Sequence, residues 1–283
     1  MTIDGLMISV TSSESIGVNF ASETTVGYLR LYNSIIKGVA GDTNGYLCEY
    51  AYAGSTLYSK NCIFYNHYNG VYNWSGKVLY LYNATVKGCS NNGVRNNGTA
   101  TCKNVLADNP AGGSDRDFAG AGTMVCTNCA SSGDTADDFG GSGNRVSQTF
   151  TFVSSTDLHL QATDAGAIGY GLNLYNDAIF PFQDDIDGQD RGGAAAAWDI
   201  GADEYVSSTA IEQEGFRFRN DDGSESAATW KASQDTNISL AADTAARIRM
   251  LLNATGDPAS IGAQLEYRYK PSGGAFGSWT KVN

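Results

Sequence analysis

The sequence predicts an all-β chain, a solenoid of stacked coils over residues 1–207 followed by a small β-sandwich over residues 211–283. Three observations predict it. Five asparagines, Asn33, Asn61, Asn83, Asn104 and Asn128, recur at intervals of 21 to 28 residues, and a repeat of that order marks a chain that stacks one unit per coil. Aligned on those asparagines, four columns appear: four before (Leu29, Leu57, Leu79, Ala100, Met124), two before (Leu31, Ser59, Leu81, Cys102, Cys126), one after (Ser34, Cys62, Ala84, Val105, Cys129) and three after (Ile36, Phe64, Val86, Ala107, Ser131). All their members except Ser34, Ser59 and Ser131 are apolar, Ala or Cys. Residues 211–283 lack the repeat and show short alternating strands instead, as in Leu265, Tyr267 and Tyr269 against Glu266, Arg268 and Lys270.

Each element has a local reason. Alternation on both sides of each asparagine means short strands with one buried face. The asparagine itself sits at a bend, where its short amide can bond the backbone of the turn. Five positions further on stand Gly38, Asn66, Gly88, Asn109 and Gly133, the two residue types that best tolerate positive φ, so this column is expected to need it. Residues 1–27 are expected to add one or two less regular coils, and residues 134–165 to loosen into loops with a strand at 149–153. The segment 157–205 then carries "DLHLQATDAGAIGYG" and "DDIDGQDRGGAAAAWDIGADEY". An open solenoid end exposes strand edges and apolar core, and Trp198, Ile200 and Tyr205 are the residues expected to plug it. Near the end of the chain "KPSGGAFG" reads as the turn of a final hairpin.

The stacked coils with their asparagine turns resemble the right-handed parallel β-helix of pectate lyases and phage tailspikes over roughly residues 5–205. The "DDIDG…DIGADEY" stretch is similar to the closing segment of many bacterial and phage β-helix proteins; the alternating strands of residues 211–283 suggest a small Ig- or fibronectin-like sandwich, and "GFRFRNDDGSESAATW…LEYRYKPSGG" resembles a module of phage structural proteins and related bacterial surface proteins. The resemblance implies an architecture and leaves activity open, because one fold hosts many functions.

The charge excludes some partners. The chain carries a net −12, and residues 108–204 hold 16 acids against Arg116, Arg145 and Arg191, a surface that repels nucleic acid and anionic membranes. "MTIDGLMISVTSS" has neither the basic start nor the apolar stretch of a signal peptide, and no apolar run has the length of a membrane span. A polar-faced β protein assembled inside a cell and released by lysis fits a virion. Six cysteines fall mainly in the inward columns, as small hydrophobes do. Cys126 and Cys129 lack the second pair or the histidines of a zinc site. A Cys102–Cys126 disulfide is within reach, but reduced thiols are expected in a cytosolically assembled protein.

The candidate chemistry is thin. A glycosidase needs two carboxylates about 5–9.5 Å apart, and the outward positions beside the asparagines hold Arg30, Tyr32, Tyr58, Lys60, Tyr80, Tyr82 and Lys103, with no acid among them. A cleft enzyme would have to draw on Asp108, Asp115 and Asp117 or on Asp137 and Asp138. His67 and His159 have no evident triad partners. Asp185, Asp187 and Asp190 alternate as calcium ligands do, though without the rest of an EF-hand loop, and a capping turn explains them as well. Tyr58, Tyr80 and Tyr82 read as an outward aromatic ladder, with Trp74 near the following turn, that contacts a second subunit or stacks on a glycan. The expectation is therefore a non-enzymatic phage virion protein without a cofactor: a tailspike, fibre or capsid-decoration subunit, homotrimeric, contacting other virion proteins and a host-surface glycan. The alternatives are a β-helix polysaccharide lyase or hydrolase and a fragment of a bacterial surface adhesin.

Overall fold

In the computed structural model the described residues are 1–11, 16–20, 27–40, 46–50, 55–109, 116–206, 210–224, 226–241, 244–255 and 266–281. They form two compact units, Met1–Tyr205 and Val206–Asn283. The first unit is a parallel β-solenoid of about four turns. Its strands are β1 (Thr2–Asp4), β2 (Met7–Ser9), β3 (Ile16–Phe20), β4 (Tyr28–Tyr32), β5 (Ile35–Lys37), β6 (Tyr46–Tyr50), β7 (Thr56–Tyr65), β8 (Asn69–Asn73), β9 (Val78–Lys87), β10 (Asn92–Asn96), β11 (Thr99–Asp108), β12 (Arg116–Ala119), β13 (Thr123–Thr127) and β14 (Ala130–Ser131). Sheet A runs β1-β4-β7-β9-β11-β13, with β2, β5 and β14 continuing it beyond the asparagine bends, and sheet B runs β12-β10-β8-β6-β3.

The aligned columns are the physical register. Leu29 pairs with Leu57, Leu57 with Leu79, Leu79 with Ala100 and Ala100 with Met124. The column three after the asparagines pairs as Ile36, Phe64, Val86, Ala107 and Ser131. Every one of these side chains is buried, and with Val71, Val94 and Phe118 of sheet B the apolar ones make one core along the coil axis. Burying a large aliphatic side chain in such a core is worth about 1.5–3 kcal/mol, and parallel stacking repeats that gain once per coil. Beyond β13 the core is closed by buried Ala136 and by Phe139 and Val146 packed against it. The plug expected from Trp198, Ile200 and Tyr205 is therefore not at this end; those residues lie on the side of the solenoid.

Positive φ falls on a different column from the one expected. The repeat asparagines themselves adopt it, at 45° for Asn33, 51° for Asn61, 46° for Asn83, 53° for Asn104 and 48° for Asn128. Of the column five positions on, only Asn66 (58°) and Gly88 (66°) do so. Gly38 is small for another reason: a Cβ there would sit 2.4 Å from the Asn66 carbonyl oxygen of the next coil. The left-handed residue bends each strand at the asparagine while the ladder resumes on either side of it.

The strand expected at 149–153 is reduced to a single antiparallel bridge between Phe152 and Leu160. In the second unit, β15 (Ala210–Arg219) pairs antiparallel with β16 (Arg247–Thr255), and β17 (Glu266–Tyr267) with β18 (Thr280–Lys281) across the expected hairpin. Tyr267 and Tyr269 are exposed along with the polar residues between them, so the one-wet, one-buried face read from the alternation is not realised; Leu265 lies outside the described residues. The only helical piece among the described residues is the short turn Gly193–Ala195.

The thiols of Cys62, Cys89, Cys102, Cys126 and Cys129 are free and buried. Burial pushes Cys62 up to about 11 and Cys89 up to about 12, and burial holds Cys129 well above an ordinary thiol. Only the thiolate reacts. Iodoacetamide at pH 8 should therefore leave these five cysteines unlabelled in the native protein and label all of them in urea, as read by intact mass. Rapid native labelling of any one would show that its coil is not packed as described.

Candidate functional site

The candidate site is the outer face of sheet A, and the chain covers it itself. The segment 150–205, here termed the strap, runs across the strands rather than along them. Three of the five repeat asparagines dock it. Asn128 Nδ2 donates to the Tyr170 carbonyl (2.8 Å), Asn104 Nδ2 donates to the Leu172 carbonyl (2.8 Å) while Asn104 Oδ1 accepts from the Leu172 amide (2.6 Å), and Asn61 Nδ2 donates to the Asp184 carbonyl (3.0 Å). The return pass is held by the Gly201 amide donating to the Asn104 carbonyl (3.0 Å) and the Ala202 amide donating to Thr85 Oγ1 (3.0 Å).

Apolar packing under the strap explains its course. Two positions after each asparagine stand Ile35, Ile63, Thr85, Leu106 and Ala130, an outward column that water would otherwise meet. Leu106 and Ala130 pack on Leu160, Ala167 and Ile200, and Ile63 and Tyr65 on Leu158 and Ala202. On the other side of the bend Tyr82 packs on Leu174, Phe182 and Trp198, with Tyr80 alongside. Two of the outward lysines are neutralised by the strap: Lys60 pairs with Asp184 at 2.6 Å, and Lys103 pairs with Asp177. The same pairing holds the Asp177 carboxyl below its ordinary range, against burial, which pushes it up.

The aromatic ladder exists, but its face is occupied. Tyr58 and Tyr80 stack at 5.1 Å, Phe180 of the strap lies edge-on to Tyr58 at 6.0 Å, and Tyr82 is 0% exposed. Its burial raises the Tyr82 hydroxyl far above an ordinary tyrosine. Tyr58 and Tyr80 remain half-buried, and Trp74, beyond the ladder on the sheet B side, is exposed at 39%.

Arg191 is the centre of the strap and 1% exposed. Its Nη1 donates to Glu204 Oε2 (2.8 Å), its Nη2 to the carbonyls of Ala202 (2.8 Å) and Gly201 (3.2 Å), and its Nε to the Asp184 carbonyl (3.2 Å). Asn83 lies against the same guanidinium. Four acids, Glu204, Asp185, Asp199 and Asp203, bear on this one cation. Burial pushes the Asp203 carboxyl up to about 6 and, with the Asp199 charge adding to it, Glu204 up to about 7, against the pull of Arg191. The role of Arg191 as hub rests on Glu204 and Asn83, which only the fold brings to it.

The three calcium candidates do not converge. Asp185 is buried, and its Oδ1 accepts the amides of Asp187 (2.9 Å) and Gln189 (2.7 Å), while Asp190 Oδ1 accepts the Gly192 amide (2.9 Å). Those are the hydrogen bonds of a turn. Asp187 instead meets His159, whose Nε2 lies 2.6 Å from Asp187 Oδ2 and whose Nδ1 bonds Asp157. With Asp203 they form a group whose nearest ligand atoms all lie within 4.8 Å of one another. Burial lowers the His159 pKa, but the Asp157 hydrogen bond and the charges of Asp203 and Asp187 outweigh it and raise it to about 8.

Of the acids considered for a cleft enzyme, Asp117 and Asp108 are engaged elsewhere. Asp117 is buried and accepts the amides of Asn109 (2.8 Å) and Gly133 (2.7 Å); burial pushes its carboxyl up. Asp108 pairs with Lys87. Asp137 and Asp138 are exposed loop residues, and Asp115 lies outside the described residues. His67 is buried. On sheet B the described residues leave open a shallow groove of about 410 Å³, lined by Asn91, Asn92, Arg95, Asn97, Ala119, Gly120 and Ala121. The Arg95 guanidinium lies 5.5 Å from the Tyr72 ring, Asn97 Nδ2 donates to the Tyr72 hydroxyl (2.8 Å), and Trp74 packs edge-on against Tyr72 at 4.5 Å.

No protein family, no curated protein and no solved structure matches this chain.

Proposed function

We propose that the chain is a non-catalytic virion structural protein of a phage, a tailspike, fibre or capsid-decoration subunit that serves as a rigid rod and attachment module. The observation that carries the reading is the strap. One outward face of the solenoid, the sort of surface on which the resemblance would place catalysis, is roofed by the chain itself, and Lys60 and Lys103 on it are paired with Asp184 and Asp177 of the strap. Such an arrangement favours rigidity over bond chemistry, since a working acid or base must reach a substrate.

In this reading the coils wind right-handed, and the unit 206–283 is a β-sandwich completed by assembly. Leu251, Leu252, Tyr267, Tyr269 and Trp279 are between 47% and 70% exposed in the single chain, and apolar surface of that extent is covered when copies meet. A homotrimer with other virion proteins as neighbours, assembled in the host cytoplasm and exposed on the particle, follows from the same reading. The acidic charge argues against nucleic acid and membrane as partners. Attachment falls to the amide-lined groove with Trp74 at its side, a setting suited to a neutral glycan because amides pair with hydroxyls and an indole face stacks on a sugar ring.

Native mass spectrometry of the full chain should give a trimer. A panel of bacterial polysaccharides should show binding without release of reducing ends or unsaturated-uronate absorbance. A monomer that cleaves a glycan would overturn the reading in favour of a β-helix lyase or hydrolase.

A further inference from the structure

The strap gathers one imidazole and two carboxylates from three separate turns, and the surroundings of that group are those of a cation site. His159 comes from the turn after Phe152, Asp187 from the Asp-Gly turn, and Asp203 from the last stretch before the second unit. We propose that His159 Nε2, Asp187 and Asp203 bind one divalent transition-metal ion of the zinc class, which staples the three turns of the strap together.

Three features support this independently. The first is the orientation of the histidine. Its Nδ1 is tied to Asp157 Oδ1, which directs Nε2 at Asp187 Oδ2, 2.6 Å away. A carboxylate behind a histidine that faces a metal is the usual arrangement for fixing the tautomer of a ligand. The second is Asp203. It is 4% exposed, one oxygen accepts the Leu160 amide at 2.7 Å, and the other has no hydrogen-bond partner among the described residues. That bond ties Asp203 to the residue next to His159, so the two ligands are positioned together. The third is charge. Asp185, Asp199, Asp203 and Glu204 converge on Arg191, so the ligand carboxylate Asp203 belongs to a cluster of acids at whose edge a cation is favourably placed.

The dimensions fit with little movement. Metal–ligand distances of about 2.0–2.2 Å place ligand atoms no more than about 4.4 Å apart, and the ligand atoms here lie within 4.8 Å of one another. The side chains of His159 and Asp187 are 36% and 47% exposed, free to open their 2.6 Å hydrogen bond to the roughly 3 Å or more that two ligands of one ion keep, to close on Asp203, and to admit water as a further ligand. One nitrogen with two carboxylates suits zinc or manganese better than calcium, which takes six to eight oxygens.

The test uses the full, untagged chain, stripped with chelator and titrated calorimetrically with ZnCl2. One equivalent should bind and raise the melting temperature. Asp203→Asn and His159→Ala should each abolish stoichiometric binding. Asp157→Asn, which leaves all three ligands in place, should weaken binding by about 10- to 100-fold. Because Asp203 is buried and its variant could misfold, Asp187→Asn at the exposed ligand provides the control: unchanged circular dichroism with lost binding supports the site. Failure to bind one equivalent of zinc, or binding unchanged in the His159→Ala, Asp187→Asn double variant, overturns it and leaves His159 as an ion-pair partner of Asp157 and Asp187 alone. Manganese titration followed by electron paramagnetic resonance separates this site from the buried thiols, which manganese disfavours.

Discussion

Replacing Arg191 by Met should destabilise the solenoid unit by about 3–5 kcal/mol, the cost of removing one partner from a buried charge cluster. The methionine fills most of the volume, so the loss is electrostatic and hydrogen-bonded rather than a cavity. The Gly201 carbonyl loses its donor, and the carbonyls of Ala202 and Asp184 are left with the Ile186 amide and Asn61 Nδ2 alone. Glu204, Asp185, Asp199 and Asp203 lose the cation they surround. Arg191→Lys should recover only a small part, because an ammonium keeps the charge without the planar fork that reaches several acceptors at once. Urea unfolding followed by hydrogen exchange at the Gly201 and Ala202 amides would locate the damage. Those amides bond the Asn104 carbonyl and the Thr85 hydroxyl, so they should lose protection before the inner ladder of β7, β9 and β11 does. A loss under about 1 kcal/mol, far below the cost of breaking a buried pair, would mean that the strap is held by apolar packing and that the acids there are neutral without Arg191.

The register of the coils was legible in the sequence because a parallel solenoid stacks like on like. Leu29, Leu57 and Leu79 align in the chain and pair in space. The roof over sheet A was written less plainly. Trp198, Ile200 and Tyr205 announced an apolar surface needing cover, but an axial plug and a lateral strap bury the same residues, and local pattern does not distinguish them. The outward column of Ile35, Ile63, Thr85, Leu106 and Ala130 does: exposed apolar residues in register from coil to coil need a lid, and that column could have been read beside the four inward ones. The sheet B column of Val71, Val94 and Phe118 was hidden because the turns between the sheets vary in length, so alignment on the asparagines drifts. At the candidate site, the Asp185, Asp187 and Asp190 spacing suggested a common ion, yet turn amides compete for the same oxygens, and only tertiary contacts show that Asp187 turns to His159 instead. The second unit was legible strand by strand in β15 and β16, but the face that Tyr267 and Tyr269 would bury depends on neighbours that alternation cannot name.

Asn104 carries the second large effect, and two substitutions divide it into its causes. Asn104→Ala should cost about 1–2 kcal/mol for an L side chain held at positive φ without a local amide to compensate, here at 53°. It should cost about 1–3 kcal/mol more for the Leu172 amide and carbonyl left without partners. Asn104→Gly relieves the first cost and keeps the second, since glycine adopts positive φ freely and bonds nothing. Chemical denaturation of both variants therefore measures each contribution by difference. If the glycine variant is as stable as the parent, the amide contributes nothing to docking the strap and the asparagines serve as bends alone. If the alanine and glycine variants are equally weakened, the left-handed bend is unstrained and the asparagine column exists to hold the strap. The geometry at Asn104, where one amide both donates to and accepts from Leu172, predicts neither extreme: the alanine variant should be the weaker, and both should fall below the parent. The asparagines would then serve as bends of the coil and as sockets for the segment that roofs it, which explains why one residue type is kept through a repeat of uneven length.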